Sequence, residues 1–167
     1  MESSDIAIWP QSGRPSVTFR VRALTRQDAA SIAGWRYDGR WASYDLASID
    51  AIVDELEMYS AIVDADGVLH GFFCVDAAAR VPGLEPDARF LDVGIGLDPA
   101  LVGKGWGSEL GRVVKQHLHE VHPTLGLRAA VQSWNERSLK VARRLGFSEV
   151  CRHSSRGIEY TVLVVSP

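Results

Sequence analysis

One segment restricts the fold of this chain more than any other: Asp92-Val-Gly-Ile-Gly-Leu-Asp-Pro-Ala-Leu-Val-Gly-Lys-Gly-Trp-Gly107. It reads as a strand, a glycine-rich turn and the start of a helix. Val93, Ile95 and Leu97 alternate with Asp92, Gly94 and Gly96, so one strand face is apolar and the other carries a carboxylate and then two positions without side chains. Such a face can admit a ligand close to the backbone. Gly103, Gly105 and Gly107 leave the main chain bare where the helix opens. Amides at a helix N-terminus point outward and favour an anion, phosphate above all. Beyond the turn, Trp106, Leu110, Val113, Val114, Leu118 and Val121 recur at helical spacing.

Two phosphate-binding motifs do not fit. A P-loop needs glycine five residues before its Gly-Lys pair and Ser or Thr after it, where this chain has Asp98 and Gly105. A dinucleotide fingerprint needs an acidic residue about 20 positions onward, at the end of a second strand. Glu120 instead falls inside the same predicted helix.

Along the rest of the chain the periodicity predicts strands at 17–22, 60–63, 69–75, 125–132, 147–155 and 158–165, and helices after Thr25, at 49–58 and at 135–145. Thr25 and Asp28 have capping-box spacing. The stretch 35–45 is aromatic and irregular, and 77–88 is a loop. Residues 1–14, without the basic start and apolar centre of a secretory signal, are expected to be a loose polar arm, and 15–167 one domain. No apolar run is long enough for a membrane span. A net charge of −3 argues against nucleic acid as the main partner. Cys74 and Cys151 are expected to be reduced, buried thiols of a cytoplasmic protein. His117, His119 and His122 lack the spacing of a zinc motif, so no metal is expected, and solvated helix-end histidines are the simpler reading.

The third glycine-rich possibility fits better. A strand, a proline two residues past its last apolar residue, and Gly103-Lys-Gly-x-Gly107 opening a long helix resemble the pyrophosphate loop of the GNAT superfamily of N-acetyltransferases. The order of strands and helices resembles that superfamily along the whole domain. Val131-Gln-Ser-Trp-Asn-Glu-Arg-Ser-Leu-Lys-Val-Ala-Arg-Arg-Leu-Gly-Phe147 resembles its second cofactor segment, in which an Asn caps a helix beside the pantetheine arm. The resemblance departs at Val102, usually Gln or Arg, and at Ala142, where many members carry the Tyr proposed to protonate the leaving thiolate. Asn135-x-x-Ser138 with Ala142 looks more like the RimJ/RimL-like branch.

The resemblance implies an α/β fold with a mixed central sheet of six to seven strands flanked by about four helices. It implies acetyl-CoA as cofactor, held by Ile95, Gly96, Leu97, Val102, Gly103, Lys104, Gly105, Trp106, Gly107, Ser108, Asn135 and Ser138. It also implies acetyl transfer by direct attack of a primary amine, from a peptide N-terminus or a small amine such as an aminoglycoside or polyamine. A CoA-binding module without catalysis is the alternative, and a homodimer is compatible with either. Asp92 is the leading candidate base and Ser138 a candidate proton donor. One helix face carries Arg137, Lys140, Arg143 and Arg144, any of which could meet the adenosine phosphate. For the acceptor, Tyr37, Trp41, Tyr44 and Asp45 offer an aromatic pocket with one carboxylate, and Phe72, Cys74 and Trp134 line the acyl end. An α-amine of pKa about 7.7–8.0 needs less base catalysis than a lysine-type amine near about 10.4.

Overall fold

The alternating apolar runs fold into one seven-stranded sheet in the computed structural model, which describes residues 17–167. The arm expected at 1–14 lies outside those residues. Strands β1 (Arg20–Ala23), β2 (Tyr59–Val63), β3 (Leu69–Val75), β4 (Phe90–Leu97), β5 (Gly126–Gln132), β6 (Ser148–Ser155) and β7 (Ile158–Val165) stand in the order β1-β2-β3-β4-β5-β7-β6. Only β4 and β5 are parallel neighbours; every other pair is antiparallel. The helices are α1 (Arg26–Ala33), α2 (Asp50–Val53), α3 (Trp106–Val121) and α4 (Glu136–Arg144).

Alternation along the strands divides the apolar residues between two layers. Ile62 and Phe73 join α3 and α4 in a core with Leu91, Val93, Leu110, Val114, Leu118, Leu139 and Leu163. Their sequence neighbours Ala61 and Val63 turn the other way, onto Leu24, Ala29, Ile32 and Ile52 beneath α1 and α2. Leu110, Val114 and Leu118 are at most 3% exposed, and burial of each contributes about 1.5–3 kcal/mol. Val121, also at helical spacing, is 55% exposed because it lies in the last turn, past the edge of the core.

The capping box of α1 forms as expected. Asp28 N–H donates to Thr25 Oγ1 at 3.1 Å, and Thr25 N–H donates to Asp28 Oδ2 at 2.8 Å. The expected helix at 49–58 is broken: α2 covers four residues, and a 3-10 turn at Leu56–Met58 follows. Asp54, Glu55 and Glu57 would crowd the negative end of a longer helix dipole, so the chain leaves helical geometry at Glu55. Strand β1 starts at Arg20 rather than 17. Among the described residues no helix is long and apolar enough to cross a membrane.

Candidate functional site

The sheet parts in the middle. β4 pairs with β5 only at Phe90↔Gly126, Leu91↔Leu127 and Asp92↔Arg128, whereas its pairing with β3 covers Val93 to Leu97. Asp98 N–H donates to His70 on the β3 side at 2.9 Å, and Gly126 N–H reaches Arg89 on the β5 side at 3.0 Å. Main-chain groups alternate along a strand, so those of Val93, Ile95 and Leu97 face the gap beyond Asp92. One of them is engaged: Tyr37 Oη donates to the Leu97 carbonyl at 2.7 Å. Burial, with Asp98 and Asp45 nearby, pushes the Tyr37 hydroxyl up to about 12, so it stays a donor. Among the described residues the open edge is a short strip without a strand partner, able to pair with an extended chain carrying amides.

At the far end of that strip, Pro99–Leu101 form a 3-10 turn and α3 begins. Gly103 has φ +76° and Gly105, the N-cap, has φ +83°, a region that favours glycine. Gly105 brings no capping side chain, so the helix N-terminus presents the amides of Gly107 and Ser108 without a side-chain cap. The guanidinium of Arg137 on α4 stands beside this turn, its carbon 3.7 Å from where a Cβ on Gly103 would lie. It also lies over the Trp41 ring at 4.4 Å. Of the four basic residues on α4, Arg137 is therefore the one that reaches the loop. Arg143 instead pairs with Glu149.

The N-terminus of α4 closes the β5 side of the gap. Asn135 is 4% exposed. Its Oδ1 accepts from Ser138 N–H at 3.2 Å, which fixes the amide orientation because a main-chain N–H can only donate. Its Nδ2 then donates to Ser138 Oγ and to Tyr44 Oη, each at 3.0 Å. Burial, partly offset by the Asn135 hydrogen bond, raises the Tyr44 hydroxyl, and nearby Tyr160 adds to the rise. Ala142 sits in the α3–α4 core at 8% exposure.

Trp41, Tyr44 and Trp134, expected around the acceptor, gather beside α4. Trp41 packs edge-on against Trp134 with centroids 5.5 Å apart, Tyr44 lies 6.1 Å from Trp134, and the Arg40 guanidinium lies over the Trp134 ring at 4.1 Å. Trp134 Nε1 donates to Gln132 at 2.7 Å. The 3-10 segment Gly39–Tyr44 thus joins α4 and the glycine turn instead of enclosing a separate cavity. Asp45 is used within its loop, accepting from Tyr37 N–H at 2.9 Å. A second aromatic group, Trp35, Tyr59 and Phe72, lies on the α1 and α2 side of β3.

The bare positions on β4 are filled by that group's neighbours. A Cβ on Gly96 would meet the Phe72 ring at 2.1 Å, and one on Gly94 would meet Cys74 Sγ at 3.2 Å. The glycines therefore make room for β3 side chains rather than for a ligand on this face. Cys74 is buried, and burial pushes its thiol up to about 12, leaving it neutral and unreactive. Cys151 is exposed, contrary to expectation, because it lies on edge strand β6.

Asp92 is no free base in this geometry. It is 4% exposed and accepts from Arg128 Nε at 2.6 Å, Arg128 Nη2 at 3.0 Å and Arg80 Nε at 2.7 Å. A charge-assisted clamp of this kind engages both carboxylate oxygens. Arg128 also ties the preceding loop, donating to the Glu85 carbonyl at 2.9 Å. The sequence signal was present and unread: an arginine inside a buried strand needs a buried partner. His117 packs on Phe73 at 5.9 Å, and burial, with Lys115 nearby, lowers His119, so neither is simply solvated. No group of three possible metal ligands occurs among the described residues. A cavity of about 280 Å³ bounded by Leu84, Asp87, Arg89, Phe90, Arg128 and Val162 lies at the opposite ends of β4 and β5, but its charged groups are already engaged, Arg89 with Asp87 and Arg128 with Asp92; the gap is the better site.

The family model described as an acetyltransferase (GNAT) domain matches residues 18–148. A mycothiol acetyltransferase from Mycobacterium sp. (strain JLS) is 33% identical over 131 residues, covering 74% of this chain and 41% of that protein. The chain thus spans about two fifths of the length of that relative. Among solved structures, the aminoglycoside acetyltransferase AAC(6')-Ib in complex with coenzyme A superposes with a TM-score of 0.70 at 18% identity, over 89% of this chain and 95% of that one. A spermidine N-acetyltransferase chimera from Vibrio cholerae and hSSAT gives 0.68 at 16% identity, over 89% and 95%. At these identities the structural likeness speaks for the fold.

Proposed function

The chain belongs to the acetyltransferase (GNAT) domain family, and on that premise we propose that it moves acetyl from acetyl-CoA to a primary amine by direct attack. The observation that carries this reading is the parting of β4 from β5 beside the uncapped N-terminus of α3. Strand edge and helix end together fit an amide-containing arm followed by a pyrophosphate.

The amides of Gly103, Gly105 and Gly107 and the Arg137 guanidinium hold the phosphates. Main-chain groups of Val93, Ile95 and Leu97 hold the arm as a neighbouring strand would, and a gap-facing N–H polarises the reacting carbonyl. Asn135 and Ser138 border the sulfur end of the arm. Bound acetyl-CoA supplies an activated thioester, so the protein needs to place an amine in line and shield the site. Asp92 serves as the buried anchor at the point where the strands separate; the attacking amine releases its proton to solvent. The acceptor is a small amine or a peptide N-terminus. The similarity to a mycothiol acetyltransferase, and the fold shared with aminoglycoside and spermidine acetyltransferases, favour the small amine. The Asn135, Ser138 and Ala142 pattern favours the RimJ/RimL-like branch and a peptide N-terminus.

Release of CoA thiol across aminoglycosides, polyamines, amino acids and peptides tests both points. Release that depends on one amine class supports transfer and identifies the class. CoA binding without release to any amine favours the non-catalytic module. Arg137→Ala should weaken CoA binding roughly tenfold, with a smaller salt dependence, by calorimetric titration.

A further inference from the structure

We propose that Trp41 is a positioning residue of the phosphate site, holding the Arg137 guanidinium at the glycine turn from the segment Gly39–Tyr44. The inference rests on the acetyl-CoA reading above, which puts the phosphates at that turn.

Arg137 is a long, exposed side chain in the first turn of α4, and Val102 brings no polar side chain to the glycine turn itself. Left alone, such a side chain spreads over many rotamers, and ordering it on a ligand takes away part of the binding free energy. Two contacts fix where it stands. The three atoms nearest to where a Cβ on Gly103 would lie all belong to its guanidinium, at 3.7, 3.7 and 3.9 Å. Its carbon also lies 4.4 Å from the centroid of the Trp41 ring, inside the reach of about 6 Å for a cation over an aromatic face.

The kind of contact matters as much as its place. Nearby arginines commit their donors to carboxylates, Arg128 to Asp92 and Arg143 to Glu149. Such pairing neutralises the charge and occupies the N–H edge that a phosphate would use. Among the described residues Arg137 makes no ion pair and no hydrogen bond. Stacking on Trp41 engages the face of the guanidinium, so its charge is not neutralised and its N–H edge is left to a phosphate. Trp41 is itself anchored. Half-buried, it packs on Trp134, whose Nε1 donates to the buried Gln132 at 2.7 Å. A chain of side chains thus runs from the end of β5 through Trp134 and Trp41 to Arg137. It ties Gly39–Tyr44 into the cofactor site through a ring that need not touch the cofactor.

The test titrates CoA into the whole protein by calorimetry and combines substitutions at 41 and 137. Trp41→Leu keeps apolar bulk against Trp134 but offers no ring face, and should weaken CoA binding about three- to fivefold. Trp41→Phe, which keeps a face, should stay within about twofold of wild type. In the Arg137→Ala background, adding Trp41→Leu should weaken binding no further, because the two residues act through one contact and their effects are not additive. The Trp41→Leu deficit should also shrink as salt rises, since what is lost is a charged contact. A merely structural Trp41 would lower affinity by the same factor with or without Arg137 and at every salt concentration. That result, an unchanged affinity in Trp41→Leu, or a Trp41→Phe that binds as poorly as Trp41→Leu overturns the assignment and leaves the acetyl-CoA reading standing. If wild-type protein binds no CoA, that reading falls and takes this assignment with it.

Discussion

Two aspartates show how differently single side chains can be read from sequence. Asp28 accepts from Arg22, from Thr25 N–H and from Thr25 Oγ1, and these bonds, Arg22 first, hold its carboxyl down to about 2 from an ordinary 3.8. A depressed folded pKa means that its stabilisation is complete above about pH 4 and is lost as pH falls toward 2. With Arg22 partly exposed, about 1–2 kcal/mol is at stake. Urea unfolding across that window should show the loss in wild type and a flatter profile in Asp28→Asn. This cap was legible because its partners lie three residues apart. Asp92 was not, because its partner Arg128 is 36 positions away on another strand. Asp92→Asn leaves Arg128 buried without its counter-charge and should cost about 3 kcal/mol in unfolding free energy. Unchanged stability with lost turnover would return Asp92 to the role of base.

Among the elements, the glycine turn and the two long helices were the most readable, since each carries its own periodicity and punctuation. The helix expected at 49–58 was not, because acidic residues at its end outweigh its apolar spacing. The parting of β4 from β5 leaves no mark in either strand's pattern; both remain apolar beyond the last shared pair. The three shared pairs begin at Gly126, where a Cβ would meet the Val165 carbonyl and the Phe90 ring at 2.6 Å each. Gly126→Ala should therefore destabilise the fold by about 1–3 kcal/mol, read as a lower denaturation midpoint with an unchanged denaturant slope. The aromatic stretch 35–45 is legible as irregular, but its packing partners are not. Trp41 and Tyr44 went to α4 because Trp134, Asn135 and Arg137 gather there only after folding.

For the molecule as a whole, ligand binding should appear as stability. Free CoA at a hundred times its dissociation constant should add about 2.7 kcal/mol, seen as a melting temperature that climbs with the logarithm of CoA concentration. The fold class was legible because strand and helix order survives tolerance in every boundary, whereas side-chain partnerships across the sheet were not. One feature reaches further than the site itself. Strands β1 to β4 and strands β5, β7 and β6 share a border of three residue pairs. Each side keeps its own ladder, so the two sides can open separately, and slowly exchanging amides should fall into two sets with different opening free energies. An arm seated between them would act as an eighth strand shared by both sides. The two sets of exchange rates should then merge toward one, turning a pair of loosely joined sheets into a single cooperative body.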